Sequence, residues 1–339
     1  MDYTPLLAAL RASGLRRIWQ NEPLAEHANW RIGGPADVLV EPSSRVQLRG
    51  ALEAAARLAI PWVLIGHGTN LLFDDRGVRG LVIKIGGAMS GYRIRGTRIV
   101  ARAGTWVPRL ARAAAVAGLK GLEHAAGIPG TLGGLVAMNG GSQRQAIGDR
   151  VTRVWALDPG GVCHCLSQAE CRFGYRSSRL ATDGLAVAGV ELCCERGDAR
   201  AIRCQTLHIL RQRRNKFPRK LPNCGSVFLS NGTMHARFGP PGRIIEQAGL
   251  KGTRVGNAQV SWQHANFIVN RGGARSAEVV ALVRRVRQEV FLRTGLWMEC
   301  EVRYVAPHGS VVPLHCADVG LPDASPASVC AGPRGVACA

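Results

Sequence analysis

Apolar positions fall into three textures along the chain. Residues 1–21 carry them at helical spacing and predict one short helix. A strand pattern follows at 36–40. Ser44 is a helix N-cap type, and Val46, Leu48, Leu52, Ala55 and Leu58 then recur on one side of a predicted helix. Residues 62–65 read as a short buried strand with a Gly-rich turn behind it, and 80–85 as another, closing a small α/β unit over 1–89. Residues 92–103 predict a β-hairpin with its turn at 95–97. Thr105 is expected to cap a helix that runs to Gly118, a natural C′ glycine. A second Gly-rich loop, 127–141, precedes strands at 151–157, 162–166 and 185–193 and a basic helix at 200–214, so a second unit is expected over 90–205. From Pro218 glycine and proline punctuate short segments. A strand at 267–270, a helix opened by Ser276 and ended by Gly295, and a last strand at 296–305 complete a third unit over 206–305. Residues 306–339 have no periodicity and are expected to be a disordered tail.

A length of 339 residues suits two or three domains. With 46% hydrophobic and 20% charged residues, the chain has the balance of a globular protein. No apolar run reaches membrane-spanning length, and the charged start does not resemble a signal peptide. The formal net charge of +21 has two readings, a solvated arginine-rich surface or attraction to polyanions. Only 211–220 is densely basic, with a single aromatic, which favours nucleotide and diphosphate ligands over nucleic acid. The 11 cysteines form no CxxC pair and no zinc-like spacing with histidine, so no metal site and no disulfide framework are expected. Cys163 and Cys165, which flank His164, and the adjacent Cys193 and Cys194 read as buried small apolar strand residues. A reducing cytoplasm fits this usage.

Five motifs carry chemistry. Gly66, His67, Gly68, Thr69 and Asn70 follow an apolar strand and read either as a phosphate-binding nest or as a tight turn. Gly130, Thr131, Gly133 and Gly134, followed by Asn139, Gly140 and Gly141, suggest a flat or anionic ligand lying against the main chain. Neither loop matches the Rossmann or Walker pattern, so a dinucleotide held by both would sit in a different type of site. Tyr175-Arg176 can clamp a carboxylate or diphosphate, or can end a surface strand. Ser226, in Asn223-Cys224-Gly225-Ser226-Val227, is a proton donor, a nucleophile or a turn serine, and the absence of a GxSxG elbow disfavours hydrolysis. Glu299 and Glu301 share one face of the predicted last strand, where Glu301 suits a salt bridge or acid catalysis.

In this order, and together with the block 242–270, these motifs resemble the UDP-N-acetylenolpyruvoylglucosamine reductase family over about residues 20–305. The resemblance implies an α+β fold, with a two-subdomain FAD module of the vanillyl-alcohol-oxidase or PCMH type and a C-terminal α+β substrate domain. It implies FAD as cofactor, NADPH as co-substrate and reduction of UDP-N-acetylglucosamine enolpyruvate for peptidoglycan. Residues 66–70 and 130–134 are implied to hold the FAD, and Ser226 to be the proton donor. Arg176 and Glu301 are implied to stabilise the enol intermediate. Tyr175, Arg214 and Lys216 are expected to meet the substrate. Asn266 and Gln259 are expected to be scaffold. The short span from Ser226 to Glu301 is similar to the second type of the family. The protein is expected to be a cytoplasmic monomer that meets neither nucleic acid nor membrane. Two departures stand out: His67 occupies a usual glycine position, and Ser142-Gln143-Arg144 replaces a tyrosine-bearing stretch. A flavoenzyme for a related nucleotide sugar, or a non-catalytic nucleotide-sugar binder, are the alternatives these departures leave.

Overall fold

In the computed structural model, which describes residues 2–230 and 232–319, the first helix ends early. α1 (Thr4–Ala12) buries Leu6, Leu7 and Leu10. Gly14, at φ +82°, then turns the chain into β1 (Ile18–Pro23), so the end of the expected 1–21 helix is a strand. β1 pairs antiparallel with β2 (Pro35–Val40). α2 (Arg45–Arg57) starts where the Ser44 hydroxyl accepts from the Gln47 amide at 3.2 Å. It buries Leu48, Leu52 and Ala55, while Val46, off that stripe, is 63% exposed. β3 (Trp62–Ile65), β4 (Leu71–Phe73) and β5 (Val78–Lys84) follow. The sheet order is β1-β2-β5-β3, and its three parallel strands are nearly all apolar because both faces are covered.

The second unit opens with the expected hairpin, β6 (Tyr92–Arg95) and β7 (Arg98–Arg102). α3 (Val107–Val116) is preceded by Trp106 at the N-cap rather than Thr105, whose hydroxyl instead donates to the Gly91 carbonyl at 3.0 Å. β8 (Leu119–Lys120) leads to α4 (Leu132–Ala137), a short helix inside the expected Gly-rich loop. The remaining elements are β9 (Gly141–Ser142), β10 (Gln145–Ala146), β11 (Val151–Leu157), β12 (Cys163–Ser167), α5 (Arg179–Thr182), β13 (Ala186–Cys193), β14 (Glu195–Arg196) and α6 (Ala199–Lys216). The five-stranded antiparallel sheet runs β12-β11-β13-β7-β6. Cys163 and Cys165 lie in a strand as expected, but at the sheet edge and on its outward face; they and Cys193 are exposed, whereas Cys194 is buried. α6 crosses the expected 205/206 boundary unbroken and packs on α3, so this unit extends to Lys216. One continuous core joins the first two units, with Leu48, Leu52, Leu110, Leu135 and Val190 among its members.

The third unit holds α7 (Gly232–Phe238), α8 (Pro241–Gln247), β15 (Arg254–Val255), β16 (Ala258–Val260), β17 (Ile268–Asn270) and α9 (Ser276–Thr294). α9 buries Val279, Val280, Val283, Val286 and Val290 and stops at Gly295, φ +70°. The expected strand at 296–305 is reduced to β18 (Arg303–Val305). The segment before it is held by other bonds: Arg287 Nε donates to the Met298 carbonyl at 2.7 Å, and the Cys300 amide to His315 Nδ1 at 2.9 Å. β18 pairs antiparallel with β19 (Val311–Pro313) and parallel with β4 of the first unit. The expected tail therefore starts too early, since residues 306–319 are structured and bury Leu314; residues 320–339 lie outside the described residues. Trp30 is fully buried in the third unit's core, with its indole N–H donating to the Ile268 carbonyl at 2.8 Å. Among the described residues no helix is long and apolar enough to cross a membrane.

Two histidines make this third unit acid-sensitive. Burial, aided by Lys216 and Lys251 for His264 and by Arg287 and Arg303 for His315, pushes both down to about 4 from an ordinary 6.5. Each uses Nδ1 as an acceptor, for the amides of Asn266 (3.2 Å) and Cys300 (2.9 Å). A depressed folded-state value contributes stability above pH 6.5 that is lost as pH falls towards 4. The melting temperature is expected to fall across that window, and His315→Asn, which keeps an acceptor that does not titrate, to flatten the fall. An unchanged pH dependence in that variant would show that His315 does not drive it.

Candidate active site

The two Gly-rich loops face each other. In the first, the amides of Gly66, His67, Gly68, Thr69 and Asn70 donate to no protein acceptor among the described residues. Gly66 and Gly68 are buried and the other three partly buried, and unpaired amides in such a run are the donors an anion nest needs. Gly68 has φ +62°, and a Cβ there would collide with the His27 carbonyl, so the loop lies directly on the 27–28 backbone. Asn70 ties the loop to the third unit: its Nδ2 donates to the Glu301 carbonyl at 3.2 Å, and its own carbonyl accepts from the Arg303 amide at 3.0 Å. The second loop approaches at Thr69, whose hydroxyl donates to the Pro129 carbonyl at 3.4 Å. A Cβ at Gly130, φ +135°, would stand 3.2 Å from that hydroxyl. The His67 ring packs on Trp106, centroids 5.2 Å apart, and burial together with Lys84 holds its pKa below the usual range.

Arg176 sits in the left-handed region at φ +52°, a strained conformation for a non-glycine residue. The surrounding backbone enforces it: buried Asn139 donates to the Gly174 carbonyl at 2.8 Å and accepts from the Gly148 amide at 2.9 Å. Arg176 Nε donates to Glu301 Oε1 at 2.8 Å, and its Nη2 to the Gly141 carbonyl at 2.9 Å. Both side chains are about four-fifths buried, with 20% and 21% of their surface exposed. Burial raises the pKa of Glu301, and Arg176 partly offsets this, so the carboxyl sits raised beside a fixed cation. Ser226 follows Gly225 at φ +77°. Its neighbours are pinned: Val227 N donates to the Asn266 carbonyl at 2.9 Å, and Asn266 exchanges side-chain bonds with both backbone groups of Phe228. The buried Cys224 thiol points at the Leu71 carbonyl, 3.3 Å away.

One cavity of about 970 Å³ runs between these parts. Arg176, Ser226 and Glu301 all line it, as do Thr69, Asn70, Gly130, Thr131 and Gly134. Of the residues expected to hold the cofactor, Gly66, His67, Gly68 and Gly133 are not among those lining it. Of the residues expected to meet substrate, Arg214 lines the cavity. Tyr175 stands outside its lining, 62% exposed, with its hydroxyl accepting from the Ser230 amide at 3.4 Å. Lys216 is also outside, over the Phe217 ring at 5.7 Å. Arg219 and Lys220, three and four residues past the end of the helix, line the cavity instead. The density of the 211–220 basic run was a signal for them that residue type alone could not sort.

Residues 36–167 match the model of an FAD binding domain, and residues 217–305 that of the UDP-N-acetylenolpyruvoylglucosamine reductase C-terminal domain. A Corynebacterium glutamicum protein named UDP-N-acetylenolpyruvoylglucosamine reductase 1 is 48% identical over 301 residues, 88% of this chain and 90% of that one. The Moorella thermoacetica reductase of the same name is 43% identical, covering 89% of this chain and 98% of its own. The crystal structure of the reductase from Thermus caldophilus superimposes with a TM-score of 0.73 at 33% identity, covering 86% of this chain and 99% of that one. On this likeness, carried through both domains and nearly end to end, the chain belongs to the UDP-N-acetylenolpyruvoylglucosamine reductase family.

Proposed function

We propose that this chain reduces the enolpyruvyl ether of UDP-N-acetylglucosamine to UDP-N-acetylmuramate for peptidoglycan synthesis, with FAD as cofactor and NADPH as the source of electrons. The observation that carries the reading is that Ser226, Arg176 and Glu301 line the same cavity as Thr69 and Asn70 of the first Gly-rich loop and Gly130, Thr131 and Gly134 of the second, with Asn70 bonded to the Glu301 backbone. The residues present fit FAD. Five free amides at 66–70 suit its diphosphate, and the close approach at Gly130 leaves room for a flat ring against the main chain. When bound, FAD supplies the hydride relay from NADPH to the β-carbon of the enolpyruvyl group.

The chain's own residues manage the charge and the proton. As hydride arrives, negative charge grows on the substrate carboxylate. Arg176, preoriented by Glu301 and Gly141, stabilises it without reorganising. Ser226 delivers the proton to the α-carbon. Glu301, its carboxyl raised by burial, is the hydrogen-bonding acid beside Arg176. Arg214, Arg219 and Lys220 meet the UDP diphosphate at the cavity wall, with Tyr175 at the rim. In this reading the protein works in the cytoplasm as a monomer, on a soluble nucleotide sugar, without nucleic acid or membrane.

The test is the visible spectrum of the purified protein under anaerobic conditions. A flavin spectrum is expected to bleach with NADPH and to return when UDP-N-acetylglucosamine enolpyruvate is added. Flavin that bleaches and stays bleached would assign the site to another oxidant. A colourless protein that takes up no FAD would overturn the reading.

A further inference from the structure

Past residue 305, where the match to the C-terminal domain ends, the chain turns back on the segment that carries Glu301. Gly309, at φ +84°, makes the turn: its amide donates to the Ala306 carbonyl at 2.9 Å, and the Ala306 amide to the Ser310 carbonyl at 2.9 Å. The tip of this hairpin is anchored on the first unit, where the Arg79 amide donates to the Pro307 carbonyl at 2.6 Å. β19 then runs antiparallel to β18, with Arg303 opposite Pro313. The ladder goes one bond further, from the Leu314 amide to the Val302 carbonyl at 2.9 Å. There the returning chain coils into a short 3-10 helix (Leu314–Cys316) and leaves the ladder. A side chain takes over the next position: the Cys300 amide donates to His315 Nδ1 at 2.9 Å. Beyond it, buried Leu314 and Ala317 pack into the third unit's core, and Arg284 Nη2 on α9 donates to the Ala317 carbonyl at 2.9 Å.

The segment around Glu301 is therefore bonded on two edges, alternate residues turning their backbone groups to opposite neighbours. On one edge the Glu301 amide donates to the Val227 carbonyl at 2.8 Å, and the Leu229 amide to the Glu299 carbonyl at 2.9 Å, which ties the segment to the chain just after Ser226. On the other edge the bonds of Cys300 and Val302 go to His315 and Leu314, one on each side of Glu301. We infer that His315 is a positioning residue for Glu301, and that residues 306–317 form a strap that holds this carboxylate on Arg176, an inference that rests on the reaction proposed above. His315 does not line the cavity, so it acts through the Cys300 amide. The carboxylate has to meet Arg176 Nε at 2.8 Å, and its side chain follows its main chain. With the Cys300 bond lost, the segment is pinned by the Ser226 side and by Leu314 alone, and it is free to tilt about them. Small displacements of this kind are costly in a preorganised site. Burial, with Arg287 and Arg303 nearby, keeps the imidazole neutral and Nδ1 able to accept.

The test uses the full-length holoprotein and reads each half-reaction by stopped flow, together with amide hydrogen exchange over 298–303 in the absence of the sugar. His315→Leu, which removes the acceptor, is expected to speed that exchange. It should slow reoxidation by UDP-N-acetylglucosamine enolpyruvate about tenfold or more and leave flavin reduction by NADPH within about twofold. His315→Asn, which returns an acceptor, is expected to bring reoxidation back to within about threefold of the unaltered protein. Should His315→Leu fail to fold, Arg284→Ala decides: it frees the far end of the strap at Ala317 and is expected to slow reoxidation about threefold, with reduction unchanged. Equal slowing of both half-reactions, unaltered reoxidation, or an asparagine variant no faster than the leucine one would overturn the assignment. An unaltered protein that is reduced by NADPH but not reoxidised by the sugar would refute the proposed reaction instead. The exchange comparison then still decides the strap: faster exchange in the leucine variant alone sustains it, and equal exchange in both variants ends it.

Discussion

Ser226→Ala is expected to leave the reduction of bound flavin by NADPH nearly unchanged and to slow its reoxidation by the enolpyruvyl sugar at least about a hundredfold, the scale of a lost general acid. The asymmetry follows from the proposed role. A proton is needed at the α-carbon only after hydride has left for the β-carbon, so the first half of the cycle never calls on the hydroxyl. The fold should tolerate the change, because the neighbours of Ser226 are held by Asn266 and by the backbone rather than by the hydroxyl. Stopped-flow traces of each half-reaction decide the matter. Equal slowing of both would mean that Ser226 positions the flavin or the segment, and would end its assignment as proton donor.

Arg176→Ala is expected to cost more, about a hundredfold to a thousandfold in reoxidation, comparable to removing a preorganised electrostatic contact. It should also carry a pH signature. Arg176 is the cation that partly offsets the burial of Glu301. Without it the carboxyl is raised further, so the limb of the pH–rate profile that reports Glu301 should move to higher pH. A variant that is slower by the same factor at every pH would separate the two residues and leave Arg176 acting on the substrate alone. The strained backbone at Arg176 adds a structural cost that Arg176→Gly would relieve, so the glycine variant should fold at least as well as the alanine one and be as slow.

Much of the architecture was legible in the pattern of apolar positions. β11 falls at the expected residues, and α9 starts and stops at the expected Ser276 and Gly295, because a long helix with a left-handed glycine stop writes its period and its end into the sequence. α4 was hidden, since Leu132-Gly133-Gly134-Leu135 reads as a loop by propensity and becomes helical only by packing on β13 and β7. The boundary at 205 failed for a related reason. A basic helix looks detached until α3 is seen to cover its apolar side. At the site, the residue types of Arg176, Ser226 and Glu301 were visible, but not their convergence: 125 residues separate the arginine from its carboxylate partner, and no local period reports such a distance.

The pairing of β4 with β18 has a consequence for how the protein is made. The FAD-binding half is finished only by a strand encoded near the end of the chain: Leu71, Leu72 and Phe73 wait for Arg303, Tyr304 and Val305, and buried Asp74 waits for the Tyr304 hydroxyl. During synthesis the early domain therefore leaves the ribosome with an open edge beside its first Gly-rich loop, and Asn70 lacks its Glu301 and Arg303 partners until they emerge. A chain truncated before β18 loses more than its third unit, because the first Gly-rich loop is left unbraced as well.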